Sequence, residues 1–144
     1  MVTTADTSFL FSLYGHDSNT EKAIRWTKKQ KHPITITSLA RFELLNALRF
    51  AECRKFINAG DADDFISNFE TDLNEGRLVE EICNLAEVIS EASRISEERT
   101  LKGGHRSFDI LHIAAAGILN TDQFLSFDSN QKKLAKAEGL KTPL

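Results

Sequence analysis

From Ser107 to Ser129 the chain reads SFDILHIAAAGILNTDQFLSFDS, and no other stretch limits the fold so strongly. Apolar residues run almost unbroken from Ile110 to Leu119. A surface helix carries one apolar stripe, so a helix that is apolar nearly all round must be buried over most of its circumference. Ser107 reads as the N-cap, and Asp109 falls in the first turn, where a carboxylate suits the helix dipole. Asn120, Thr121 and Asp122 break the pattern, and Phe124 to Phe127 reads as a short buried strand ending in Asp128. A helix of about 14 residues climbs roughly 21 Å. A strand of about five residues returns over roughly 16 Å. Asp109 and Asp128 are therefore expected on one edge of the domain, either as caps or as the beginning of a metal site.

With 144 residues the chain is expected to form a single domain, residues 1–144, large enough to bury a core. Its 18 basic and 21 acidic residues leave a net charge of −3, which excludes nucleic-acid binding by bulk positive charge alone. An acidic site that reaches phosphate through a bound cation is compatible with that balance. No apolar run approaches the ~20 residues of a membrane span, so no membrane partner is expected. The first residues lack a basic region followed by an apolar one, and Cys53 and Cys83 stand without metal-type spacing. Free buried thiols in a reducing cytoplasm are the expectation.

Taken in order, Val2 to Ala5 is a short β-branched strand whose carboxyl end delivers Asp6. Phe9 to Tyr14 begins a helix. Thr20 caps another through about Lys31, with Ala23, Ile24 and Trp26 inward and Pro33 as its stop. Ile34 to Thr37 is a second strand. Ser38 then caps a long helix whose buried face is marked by Leu39, Phe42, Leu45, Ala47, Leu48 and Ala51, with Glu43 beside it. Asp61, Asp63 and Asp64 open a further helix as a solvated start, and a third strand is expected around Leu78 and Val79. Asn84 caps a helix to about Arg99, and Thr100 to Arg106 is read as a loop containing Gly103 and Gly104. After Asp128 a last helix runs from Ser129 to Glu138, and Leu140 to Leu144 forms a short edge strand. Short strands alternating with helices give an α/β sandwich around a mainly parallel sheet.

In such sheets sites form at the carboxyl ends of the strands. Asp6 and Asp128 occupy such positions, Glu43 lies in the first turns of the helix after the second strand, and Asp109 joins them by the climb and return. Crowded carboxylates repel unless protons or a cation neutralise them. Oxygen ligands without cysteine favour Mg²⁺ or Mn²⁺ over Zn²⁺. Each residue also has a plainer reading. Asp128 with Gln131 forms a capping box, Asp6 caps the turn after it, and Asp109 complements its helix dipole. Glu43, next to a buried face, is the hardest to explain without a partner. His112, within the apolar helix, reads as a hydrogen-bonded core histidine rather than a base. Lys28, Lys29 and Lys31 form a solvated face, whereas Lys102, His105 and Arg106 adjoin Asp109 and could meet a polyanionic substrate. Gly103 and Gly104 fit no phosphate-binding fingerprint.

The segments Ala5–Leu10, Phe42–Arg49, Arg106–Ala116 and Phe124–Gln131, in this order and spacing, resemble the PIN-domain ribonucleases and, within them, the VapC-like toxins of toxin–antitoxin pairs. The resemblance runs over nearly the whole chain. It implies an α/β/α sandwich with a parallel sheet, and Mg²⁺- or Mn²⁺-dependent endonucleolytic cleavage of RNA. It implies Asp6, Glu43, Asp109 and Asp128 as the metal-binding and catalytic carboxylates, with Ser8 as a supporting hydroxyl. It further implies a homodimer and a cognate antitoxin that covers the site. One departure is that Phe127 stands where many members carry arginine. Two other classes compete with this reading. One is a catalytically silent PIN-like module that binds RNA or protein. The other is a phosphatase using Asp6 as nucleophile, although Ser8 stands where that chemistry in its common family wants a second aspartate.

Overall fold

The structure, a computed structural model, describes residues 1–144. Four short strands, β1 (Thr3–Ala5), β2 (Ile34–Thr37), β3 (Leu78–Glu81) and β4 (Gln123–Leu125), form an all-parallel sheet in the order β3-β2-β1-β4. Thr4 at the centre pairs with Thr35 on one side and Phe124 on the other. Parallel neighbours need crossovers, and helices supply them. They are α1 (Thr7–Tyr14), α2 (Thr20–Thr27), α3 (Ser38–Cys53), α4 (Asp61–Asn74), α5 (Leu85–Ile95), the single turn α6 (Leu101–Gly103), α7 (Ser107–Ile118) and α8 (Ser129–Ala137).

The alternation of β4 divides the interior in two. Leu125 joins Phe9, Leu10, Leu44, Leu48 and Phe69 in a core shared by α1 to α4. Phe124, its neighbour, points the other way, into a core with Val88, Ile95, Ile113 and Leu134 from α5, α7 and α8. Helices thus cover both faces of the sheet, an α/β/α sandwich. Ala114, Ala115 and Ala116 are all buried, and their small side chains let α7 lie close to α5 and the sheet. From β1 the chain moves outward to β2 and β3, then returns to the far side of β1 at β4. The junction of β1 and β4 is therefore the switch point of the sheet, where open α/β folds form their ligand sites.

Several local expectations are corrected. The cap of α3 is Thr37, whose hydroxyl accepts from the Ala40 N–H at 3.1 Å; Ser38 is the first helical residue and exposed. Thr37→Ala is expected to cost about 1 kcal/mol while Ser38→Ala stays within about 0.5 kcal/mol of wild type, as urea titration would resolve. The buried stripe of α3 is Ala40, Leu44, Leu48 and Ala51, and Phe42 is 63% exposed. The helix after Asn19 ends at Thr27, with Ile24 partly exposed. Ser107 does not cap α7: Arg106 holds that position and offers no side-chain bond. β4 stops at Leu125, two residues short of the expected strand.

The expected loop from Thr100 to Arg106 is helical as far as Gly103, because α5 continues through a π-helical turn at Ser96–Thr100. Only Gly104, at φ 64°, breaks the run, the left-handed conformation that glycine adopts without a Cβ clash. The tail makes a single parallel bridge between Lys141 and Gln123 rather than a strand. Cys53 is exposed and Cys83 partly buried, both as free thiols. No helix is long and apolar enough to cross a membrane.

Candidate active site

Asp6 leaves β1 with its N–H bonded to the Leu125 carbonyl at 3.0 Å, which locks it to the exit of β4. It caps α1: Oδ1 accepts from the Phe9 N–H at 3.1 Å and from the Ser8 hydroxyl at 2.7 Å. Oδ2 accepts from the Ser126 hydroxyl at 2.7 Å. The residue is 3% exposed and bonds to no cationic side chain. Burial pushes its carboxyl above the ordinary aspartate range, although the two hydroxyls, the Phe9 N–H and the field of His112 all work the other way.

Ser126 was not singled out from the sequence, where its signal was a hydroxyl set between Leu125 and Phe127 in an apolar run; it lies just past β4 and is fully buried. Its Oγ also accepts from the Asp128 N–H at 3.1 Å, and Ser8 Oγ accepts from the Phe127 N–H at 3.0 Å. The two serines therefore tie the exits of β1 and β4 together around the Asp6 carboxylate.

Glu43, in the second turn of α3, has the partner its sequence context lacked: Oε1 meets His112 Nε2 at 3.1 Å, and His112 is only 4% exposed. Burial alone would raise this carboxyl. The hydrogen bond and charge of His112, with the nearby hydroxyl of Thr7, outweigh burial and hold it below the ordinary glutamate range. His112 is thus the hydrogen-bonded buried histidine that its context suggested.

Asp109 occupies the first turn of α7. Its carboxyl is raised, first by burial, then by the negative charges of Asp128 and Glu43, against the opposing fields of His112 and Arg106. Asp128 is exposed and caps α8, with Oδ1 accepting from the Gln131 N–H at 2.9 Å. The side chain of Gln131 does not close the capping box. It is buried, and Nε2 donates instead to the backbone carbonyl of Asp109 at 2.9 Å, fixing the start of α8 against the start of α7.

His112 lies within electrostatic reach of Asp6, Glu43 and Asp109, and Asp109 within reach of Glu43 and Asp128. As the side chains are oriented, no three of them converge on a common ligation point. Glu43 is turned to His112 and Asp128 to its own helix. The donor set nonetheless fits a hard divalent cation, because it is all oxygen, holds a buried carboxylate without a cationic partner, and includes Asp109, whose proton affinity is raised by the charges of Asp128 and Glu43. A cavity of about 360 Å³ opens beside it, lined by Thr7, Ser8, Phe127 and Asp128 among others. Phe127 stacks on Phe9 at 5.7 Å between ring centres, and Lys22 Nζ sits 5.8 Å above its ring. Positive charge thus reaches this rim from α2. Of the expected substrate contacts, Arg106 is exposed beside Asp109, whereas Lys102 opens onto a separate cavity.

An all-parallel α/β/α sandwich with acidic residues gathered at its switch-point edge is the architectural class of the molecule. The chain belongs to the PIN domain family, whose model matches residues 4–137. Its fold is that of VapC20 of Mycobacterium tuberculosis, a Sarcin-Ricin loop cleaving toxin, at 14% identity and a TM-score of 0.72 over 96% of this chain and 95% of that chain. VapBC2 of Rickettsia felis, bound to a DNA fragment from its promoter, is similar at 16% identity and 0.68, covering 99% and 97%. FitAcB of Neisseria gonorrhoeae follows at 14% and 0.67, covering 98% and 96%. Comparison with curated protein sequences gives no significant match.

Proposed function

We propose that this protein is a divalent-metal-dependent endoribonuclease, the toxin of a toxin–antitoxin pair, acting in the cytoplasm as a homodimer under the control of a cognate antitoxin. Membership of the PIN family supports the nuclease class, and the folds shared with VapC20, VapBC2 and FitAcB support the toxin role. The observation that carries the reading is the buried Asp6 carboxylate at the β1/β4 switch point, unpaired by any salt bridge and linked through the field of His112 to Glu43 and Asp109.

Asp6, Glu43 and Asp109 would hold the principal Mg²⁺ or Mn²⁺, directly or through water, and Asp128 would complete the set. The cation would supply polarisation of the phosphodiester and acidification of its water. Ser8 and Ser126 fix the orientation of Asp6 by donating to its two oxygens. Gln131 holds the Asp109 and Asp128 segments in register. Arg106 would meet the substrate beside Asp109. A nucleophilic role for Asp6 has little support, because both its oxygens accept hydrogen bonds in a 3% exposed site.

Incubated with total cellular RNA, the purified protein is expected to produce discrete internal cuts with Mg²⁺ or Mn²⁺ and none with EDTA. RNA retained without cutting under every divalent cation would replace this reading by that of a silent binding module.

A further inference from the structure

A second cavity, of about 340 Å³, lies between the segment that follows α5 and the outer face of α8, and no role described so far uses it. Its polar wall carries Arg99, Lys102, His105, Asn130 and Lys133 together with one carboxylate, Glu98, which is paired with Arg94 at 2.9 Å. Arg99 is engaged by Glu138, at 2.8 Å. Lys102 and Lys133 make no ion pair, although the chain as a whole is acidic.

The rim is built rather than incidental. Asn130 Nδ2 donates to the Gly103 carbonyl and faces His105 Nδ1, both at 3.3 Å, so its amide is oriented by two acceptors. An Nδ1 that accepts leaves the ring proton on Nε2. The ring lies against Gly103 so closely that a Cβ there would fall 2.2 Å from Nε2. Gly104, at φ 64°, then turns the chain toward α7. The two glycines fit no nucleotide fingerprint, and their use here is to seat His105 and close the cavity. A π-helical turn immediately precedes them, a feature often kept where function needs it.

The position of the cavity matters. Asn130 is two residues beyond Asp128, and the 102–106 segment leads into the helix that bears Asp109. A phosphate strand approaching four carboxylates is repelled unless cations flank its path. We infer that this cavity binds a backbone phosphate of the RNA strand away from the cleaved bond, held by Lys102 and Lys133. The inference rests on the nuclease reading above and adds a phosphate subsite to it.

The test is binding without turnover. In an Asp6→Asn background, a fluorescently labelled single-stranded RNA is titrated by anisotropy over a series of KCl concentrations. Each phosphate contact on a single strand contributes about 0.7 to the slope of log affinity against log salt. Lys102→Ala with Lys133→Ala removes this one phosphate contact and is expected to weaken binding several-fold and to flatten that slope by about 0.7. Lys102→Arg with Lys133→Arg keeps both. Lys28→Ala with Lys29→Ala, which removes equal charge from the exposed end of α2, leaves the slope unchanged. An equal slope for the two alanine pairs overturns the subsite, even if the wild type cuts RNA. Poly-glutamate that binds in a lysine-dependent manner where RNA does not overturns it too, in favour of an acidic protein segment. RNA binding that depends on these lysines, with no cleavage by the wild type, upholds the subsite and removes the nuclease reading instead.

Discussion

Replacing Asp6 by Asn is expected to abolish metal-dependent RNA cleavage and to raise the melting temperature of the metal-free protein. Asparagine keeps the shape and the acceptor that receive the Phe9 N–H and the Ser8 hydroxyl, and its amide can donate to Ser126, whose hydroxyl is free to rotate. The negative charge is lost. Substitutions of outer-shell partners at metal sites already cost 10–100-fold, so loss of a direct ligand should reduce cleavage by more than about a hundredfold. The stability effect follows from the raised carboxyl. A group whose proton affinity is higher in the folded chain than in the unfolded one, where aspartate titrates near ~3.9, stabilises the fold at low pH. That contribution is lost as pH rises through the folded value. Near neutrality the wild type therefore holds an ionised carboxylate that burial disfavours, and the variant does not. The gap in melting temperature should be open at pH 7 and close below about pH 4. Mg²⁺ or Mn²⁺ should raise the melting temperature of the wild type by mass action and leave that of the variant unmoved. Scanning calorimetry across pH, with and without cation, reads all three. Full cleavage by Asp6→Asn would remove the residue from the site. A lowered melting temperature with cleavage lost would make Asp6 a structural cap only.

The sequence made the architecture and one half of the site legible for the same reason. A helix apolar on most faces followed by an apolar strand can only be a buried climb and a buried return, so Asp109 and Asp128 had to share an edge, even though the real helix has 12 residues and the real strand three. Asp6 could be placed because a short β-branched strand ending in a capping aspartate has one local interpretation. The phase of α3 could not be read. Leu39, Phe42, Leu44, Leu45, Ala47, Leu48 and Phe50 surround the helix, so the expected stripe through Leu39, Phe42 and Leu45 runs partly out of phase with the real one, with only Leu48 and Ala51 held in common. Tertiary packing took Ala40, Leu44, Leu48 and Ala51, leaving Phe42 and Phe50 more than half exposed. Ser38 reads as the cap where the structure uses Thr37, because either side chain can fill that role and only the strand end decides between them. What the sequence hid altogether were contacts between distant segments. Glu43 and His112 are 69 positions apart, and Ser126 reaches Asp6 across 120. Gln131 sat at capping-box spacing, but nothing local says that its amide leaves Asp128 for the carbonyl of Asp109.

Phe9 joins the core to the site, and Phe9→Ala is expected to damage both by separable amounts. Its ring is fully buried, meets Trp26 edge-on at 6.0 Å and stacks on Phe127 at 5.7 Å. Truncating such a side chain removes its transfer free energy and leaves a void, costing about 3–5 kcal/mol. At roughly 2–4 °C per kcal/mol for a chain of this size, the melting temperature should fall by about 10 °C. Phe9→Leu leaves a smaller void and should fall less. The second effect reaches the acidic edge. Phe127 lies between Ser126 and Asp128, and without the Phe9 ring beneath it the Ser8 bond to its N–H and the exposed contact with Lys22 are left to hold it. Asp128 should then lose its fixed position over α1 while its own helix stays formed. Cleavage per folded molecule, measured well below the melting transition, should therefore drop in Phe9→Ala by more than in a core variant of equal cost on the opposite face, such as Ile113→Ala. Ile113 is as deeply buried but belongs to the core beneath α5, α7 and α8, away from the Phe9–Phe127 stack. Equal cleavage losses in the two variants would show that the stack serves stability alone and that Ser8 and Ser126 suffice to place Asp128.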